Sequence, residues 1–407
     1  MRWILLLGLA AAVPVTAPLA ATPAAAMADA PGFADAVEAA WRRSVGGQGA
    51  EARREEQAAR RAAAVSWTPE PPSVKLAHQS DRLARNRGAR ELEVEFEIPL
   101  WMPGTRAAAT ALADAEGHDL DARLRLARLD LAGEVRDAVW SLRLAESELE
   151  AALRRVADAQ RLGEDVERRV AAGELARIDA NQALGLLHQA RSAEEEAHTA
   201  LLRMQQRYAA LTGLDRAPDE IEPEPPSLPA PDADPRLEAL QRQVGAARAR
   251  LTQAGVERRD APELTLAVTR ERGDFEERYA TTTTVGVRIP FGTDARNRPR
   301  IAAAGAALAE AEATLRLERE RIEAGRDAAR AELDQARRVE HLAGERARLA
   351  ADTRQLLARA FTLGEIDLPT RLRAESEAFE AELALSRASL QAGRAHSRLN
   401  QAYGLLP

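Results

Sequence analysis

Glu91, Glu93, Glu95 and Glu97 occupy alternate positions in the stretch RELEVEFEIPL, and alternate positions of a strand share one face. Carboxylates in such a row attract cations where the face lines an aqueous passage. On any other wet surface they only keep it polar. Other chemistry has little to work with. The six histidines, His78, His118, His188, His198, His341 and His396, lack a second His or a Cys at metal-ligand spacing, and no HExxH occurs. There is no GxSxG nucleophile turn, no phosphate-binding loop and no cysteine. Glu194, Glu195 and Glu196 suit a solvated helix face. Neither an enzyme, nor a cofactor, nor a resident metal is expected.

The element that carries the four glutamates has a second face, formed by Leu92, Val94, Phe96 and Ile98. Further along, Tyr279, Thr281, Thr283, Val285, Val287 and Ile289 share one face, and Ala280, Thr282, Thr284, Gly286 and Arg288 share the other. Partner strands are SVKLAHQ and PELTLAVTRE, joined to these by polar loops containing Asn86-Arg87-Gly88 and Gly273-Asp274. Two hairpins follow, at 73–99 and 262–291. Apolar-out, polar-in alternation over about 9–11 residues serves a transmembrane barrel, and a half-buried soluble sheet shows the same alternation. Four strands leave two open edges, and membrane barrels need at least about eight. The chain must oligomerise to close a barrel, or rest its hairpins on something outside this sequence. Arg288 is placed to neutralise part of the acidic face.

Most of the remaining sequence is helical and duplicated. Pro99 of EIPL and Pro290 of RIPF, Gly173 of AGEL and Gly364 of LGEI, and Gly213 of LTGLD and Gly404 of AYGLL are each 191 positions apart. Three landmarks at one offset mark a tandem repeat. Each copy runs helix, hairpin, very long helix, break, return helix. The first copy spans 29–216 and the second 236–407. Between them lies a proline-rich linker, 217–235, of extended type. The first opening helix is predicted at 33–66. Leu131, Val135, Leu142, Leu149, Leu153 and Val156 recur at helical steps along the first long helix, predicted at 105–171. Such a helix extends roughly 100 Å, and the opening and return helices end to end match it. The second long helix is predicted from after Pro299 to about Phe361. The two breaks, 171–178 and 362–369, share the dipeptide Gly-Glu: a left-handed glycine closes one helix, and in the second copy Asp367 caps the next, with Pro369 in its first turn.

Charged residues make up 30% of the chain and aromatics 3%, the profile of long helices in thin layers rather than a thick globule. The net charge is −7, with basic and acidic residues interspersed, which argues against a nucleic-acid partner. Residues 1–28 read as a secretory signal peptide, with a basic start, the apolar stretch WILLLGLAAAV and small residues before a cleavage after Ala28.

The tandem repeat, the opening helices DAVEAAW and DPRLEAL, the IP pairs followed by Leu100 or Phe291, and the tip elements Gly173-Glu174-Leu175 and Gly364-Glu365-Ile366 resemble the outer-membrane factor family of TolC-like efflux ducts. The resemblance covers essentially all of the mature chain, and the pattern is closer to the heavy-metal (CzcC-like) branch than to the drug branch. It implies a mainly α fold with a small β part: a coiled-coil barrel of long helices on a trimeric transmembrane barrel to which each chain gives four strands. The implied location is the outer membrane of a Gram-negative type envelope, reaching into the periplasm. The implied partners are two further copies, outer-membrane lipid, a periplasmic adaptor and an inner-membrane pump of RND type. By the same resemblance Gly173, Glu174, Leu175, Gly364, Glu365 and Ile366 meet the adaptor, and Asp179, six past Gly173, and Asp367 are gate candidates. The tips depart from the family pattern at Ala176 and Thr370, which weakens acidic gating in the second copy. Glu91, Glu93, Glu95, Glu97 and Arg288 would face the lumen. The function implied is a passive duct for metal cations or small organic molecules; the alternative is a periplasmic coiled-coil adaptor or scaffold with no channel of its own.

Overall fold

A computed structural model describes residues 31–84, 86–219, 222 and 233–407. The predicted signal peptide and most of the linker lie outside these. The elements run α1 (Phe33–Arg43), α2 (Val45–Ala64), β1 (Ser73–Ser80), β2 (Arg90–Pro99), α3 (Thr105–Ala171) and α4 (Arg177–Thr212). The second copy gives α5 (Pro235–Val256), β3 (Glu263–Arg272), β4 (Ala280–Arg288), α6 (Asp294–Thr362) and α7 (Leu368–Ala402).

The opening helix of the first copy is two helices, not the single one predicted at 33–66. Ser44 adopts extended backbone, and its hydroxyl accepts from the Gly47 N–H at 2.9 Å, so it ends α1 and caps α2. A Cβ on Gly47 would fall 2.0 Å from the Trp41 carbonyl oxygen, so the tight junction needs glycine there. α6 begins before Pro299, not after it, with Thr293 as its N-cap. Pro299 lies near the start of the helix, where it removes one intrahelical hydrogen bond and the following 63 residues still run on as helix.

α3 and α6 contain 67 and 69 residues and extend roughly 100 Å each. They are paired with shorter helices laid along them: α4 and α5 on α3, α7 and α5 on α6, and α7 also on α3. The principal core lies at mid-height, where Phe33, Ala36, Val37 and Ala40 of α1 meet Ala132, Val135, Ala138, Val139 and Leu142 of α3 and Tyr208 of α4. Alanine dominates the contact, which lets helix axes approach closely. Below that level the buried face of α3 passes to Ala145, Ala151, Ala152, Ala159, Leu162 and Val166, while Leu153 is 48% exposed. The predicted leucine stripe therefore drifts off the core there: a straight helix turns about 20° per heptad relative to a strict seven-residue repeat.

Two buried ionic groups tie the ends of the linker region to the long helices. Arg136 and Glu222 are both almost fully buried and form a bidentate pair, with Nη2 to Oε1 at 2.6 Å and Nε to Oε2 at 3.0 Å. Arg136 also donates to the Leu405 carbonyl at 2.9 Å. Asp234 is fully buried, caps α5 through the Arg236 N–H at 2.9 Å, and accepts from the guanidiniums of Arg236 and Arg326 at 2.6 and 2.9 Å. Burial alone would raise its carboxyl, but the hydrogen bonds from Arg236 and Arg326 outweigh that and hold it below the ordinary carboxylate value.

The four strands form one antiparallel sheet in the order β1-β2-β3-β4. The two copies join through β2 and β3, and β1 and β4 keep open edges.

Candidate functional site

The sheet and the helix tips stand at opposite ends of the long helices. In the sheet, the register places Lys75 opposite Glu95, Glu95 opposite Ala267 and Ala267 opposite Thr284. One face thus collects Ser73, Lys75, Glu91, Glu93, Glu95, Glu97, Glu263, Thr265, Thr282, Thr284 and Arg288. The other face collects Val74, Leu76, Leu92, Val94, Phe96, Leu266, Val268, Val285 and Val287. Most of these apolar side chains are between 40% and 72% exposed, an arrangement that water does not favour.

Arg288, on β4 and so two strands from β2, shares the face of the four glutamates but pairs with Glu263 of β3, at 3.1 Å. The cation that reaches β2 is Lys75, whose Nζ lies 2.8 Å from Glu95 and 3.8 Å from Glu93. Ser73 donates to Glu97 at 2.8 Å. Lys75 and Ser73 were invisible as partners in the sequence because the pairing depends on register, although β1's alternation already put Lys75 on the polar face.

At the tips, both breaks are built alike. Gly173 (φ 79°) donates to the Val170 carbonyl at 3.0 Å and Glu174 N–H to Arg169 at 2.9 Å. Gly364 (φ 78°) donates to Phe361 at 3.2 Å and Glu365 N–H to Ala360 at 3.0 Å. This is the Schellman arrangement, in which a left-handed residue lets two N–H groups satisfy the last carbonyls of the helix. A Cβ on either glycine would meet nothing within 4 Å, so backbone angle alone requires glycine.

The helices restart differently. Asp367 caps α7 by accepting from the Thr370 N–H at 3.1 Å, and that hydrogen bond holds its carboxyl below the ordinary value. In the first copy Ala176 has no capping oxygen, and Asp179, three residues on, reaches back to the Ala176 N–H at 2.9 Å. Both acids named as gate candidates are therefore engaged as helix caps.

Glu174 and Glu365 are exposed, whereas Leu175 and Ile366 are half-buried against a tip core of Leu162, Val166, Ala183, Phe361 and Leu368. That core joins the two hairpins. Phe361 has the guanidiniums of Arg169 and Arg371 each 4.9 Å from its ring centre, and Asp165 lies 3.5 Å from Arg169 and 3.9 Å from Arg371. Beside it a cleft of about 480 Å³ is lined by Arg155, Arg354, Arg371 and Glu375 among others; burial raises the Glu375 carboxyl against the pull of Arg354 and Arg371. The apolar side chains that do project are Ile178 and Leu363, 63% and 73% exposed. Both flank a helix break, where an apolar residue is ordinarily taken for core.

Residues 49–214 match the family described as outer membrane efflux protein. The cobalt-zinc-cadmium resistance protein CzcC of Cupriavidus metallidurans is 29% identical to this chain over 224 residues, an alignment covering 52% of each. The chain thus spans about half the length of that relative. Solved structures agree over far more. CusC superposes with a TM-score of 0.76 over 92% of both chains at 15% identity. The open-state MtrE outer membrane channel of Neisseria gonorrhoeae superposes with 0.73 over 92% of this chain and 89% of its own at 16% identity. At these identities the superpositions establish the fold alone: long paired helices joined to a four-stranded antiparallel sheet.

Proposed function

We propose that three copies of this chain form a passive efflux duct, with a twelve-stranded barrel in the outer membrane and a helical tunnel through the periplasm. The observation that carries this reading is the sheet. It has two open edges, one acidic face and one exposed apolar face, and it sits on helices roughly 100 Å long. Pairing β4 of one copy with β1 of the next removes every edge, places the apolar face in lipid and the glutamates in a water-filled lumen. A soluble adaptor or scaffold would leave the same apolar face in water, and no observation favours it.

The tips are then the far mouth of the tunnel. Exposed Glu174 and Glu365, with Ile178 and Leu363 beside them, suit docking by a periplasmic adaptor that couples the duct to an RND-type inner-membrane pump. Gly173 and Gly364 shape that surface, Leu175 and Ile366 brace it from within, and Asp179 and Asp367 hold the mouth through their caps. The cargo is metal cations or small organic molecules. The acidic strip and the name of the Cupriavidus relative both favour metal cations. The decisive measurement is assembly: detergent-purified protein should be a stable trimer, and adjacent β4 and β1 edges should crosslink between copies. A monodisperse monomer that keeps its full strand content would overturn the duct.

A further inference from the structure

The apolar face of the sheet does not stay apolar to its outer end. On β2 and β3 the paired rows run Ile98–Leu264, Phe96–Leu266 and Val94–Val268, then Leu92–Arg270 and Arg90–Arg272. The first four rows cover about 20 Å of strand. Three guanidiniums therefore occupy the same face as the lipid-directed side chains, at the end away from the helices and next to the hairpin loops.

These arginines are unlike the other sheet cations. Lys75 and Arg288 each have a carboxylate partner on the lumenal face. Among the described residues no carboxylate lies within ion-pair distance of Arg90, Arg270 or Arg272. Arg270 and Arg272 instead lean on the ring of Tyr279, at 4.6 and 4.8 Å, and Arg272 also on Phe275 at 5.4 Å. Arg272 Nε donates to the Gly88 carbonyl at 3.0 Å, which fixes its plane and leaves its terminal nitrogens free. The acids nearby are engaged in loop turns: Asp81 accepts from Arg87 N–H, Asp274 from the N–H groups of Glu276 and Glu277, and Glu277 from Gly273 N–H. Glu91 and Glu271 project from the opposite face, as the alternation requires.

Unpaired guanidiniums at the rim of an apolar band, backed by aromatic rings, have the charge and position to bind anionic headgroups. We infer that Arg90, Arg270 and Arg272 form a binding site for the phosphate of an outer-leaflet lipid headgroup. The inference rests on the duct reading, which puts this face in the membrane. The lipid's chains lie along Leu92, Val94 and Val268, and its phosphate meets the three arginines in the fork geometry that guanidinium offers.

The test uses detergent-purified assembled protein titrated with phosphatidic acid, with phosphatidylcholine and with inorganic phosphate, counting bound lipid by native mass spectrometry and following the melting temperature. Phosphatidic acid should bind saturably and raise the melting temperature, and phosphatidylcholine should do neither. The triple variant Arg90→Gln, Arg270→Gln, Arg272→Gln should bind phosphatidic acid roughly a hundredfold more weakly. If that variant fails to assemble, Arg90→Gln alone, which disturbs no ring contact, should weaken binding roughly fivefold. Unchanged affinity in either assembled variant overturns the site. So does an equal response of the wild-type protein to inorganic phosphate, which would make it a site for free anions. An assembled, membrane-inserted protein without preference for phosphatidic acid removes this inference and leaves the duct intact; a protein that never inserts removes the duct itself.

Discussion

Replacing Gly173 or Gly364 by Val isolates a single demand, because the space around each Cβ position is empty and only the positive φ resists. The expected cost is about 1–2 kcal/mol, confined to one hairpin tip. Trimer yield should be unchanged, while crosslinking to the adaptor and efflux fall. Normal crosslinking and efflux in both variants would show that the breaks are not docking tips. Asp179→Ala removes the contact with the Ala176 N–H, a cap worth about 0.5–2 kcal/mol, and should raise passive conductance through the closed duct; unaltered conductance would leave Asp179 as a helix cap alone. The dipeptide Gly-Glu made both turns legible in the sequence, since few residues other than glycine adopt that angle. The Asp367 cap was legible too, from an acid standing just before Leu368-Pro369, but the partner of Asp179 was not: whether it faces a gate or its own helix start depends on a side-chain rotation that spacing does not encode.

Strand faces offer a test at the next scale. The chain has no cysteine, so single cysteines report cleanly. In membrane-embedded protein, cysteine at Val94, Phe96 or Val287 should resist a water-soluble thiol reagent, and cysteine at Glu93, Glu95 or Arg288 should react at least tenfold faster. Equal rates would mean that the sheet does not separate lipid from water. The alternation in β2 and β4 made these faces readable, because a period of two leaves no choice about which residues travel together. Helix boundaries were less readable. Ser44 interrupts an otherwise helical run through a capping bond, whereas Pro299, the stronger breaker by type, lies within a helix because its position near the start forfeits little. The drift of the core off Leu153 escaped for a related reason: over 67 residues small errors in period accumulate into a change of face.

At the scale of the molecule, buried charge ties the two ends of the linker region to the long helices. Arg136→Met should destabilise the protein by about 3–5 kcal/mol, since it strands Glu222 in the interior, and Arg136→Met with Glu222→Leu should recover much of that. Thermal melts of the single and double variants measure the difference, and equal losses would mean that the pair is not coupled. Asp234 adds a pH dependence of known sign. Its folded carboxyl titrates below the ordinary 3.8, so its contribution is complete above that value and is lost as pH falls through the lower folded one. The gap in melting temperature between wild type and Asp234→Asn should therefore narrow from about pH 6 to about pH 3; a constant gap would assign its role to packing.

The junction of β2 with β3 has a consequence for anything passing through the barrel. In a closed assembly of three copies it alternates with the β4–β1 junction, giving six hairpins around a wall whose geometry is nearly sixfold. Its chemistry is only threefold, because β2 carries Glu91, Glu93, Glu95 and Glu97 while the matching positions of β4 are Thr282, Thr284, Gly286 and Arg288. The wall is therefore striped lengthwise. A cargo cation would travel along one of three parallel rails, its successive carboxylate steps about 7 Å apart, with a mostly uncharged wall between it and the next rail, charged only at its ends by Glu271 and by the Glu263–Arg288 pair. Lys75 stands beside the two middle steps and would shallow the well there, so that such a rail would hold a cation without trapping it.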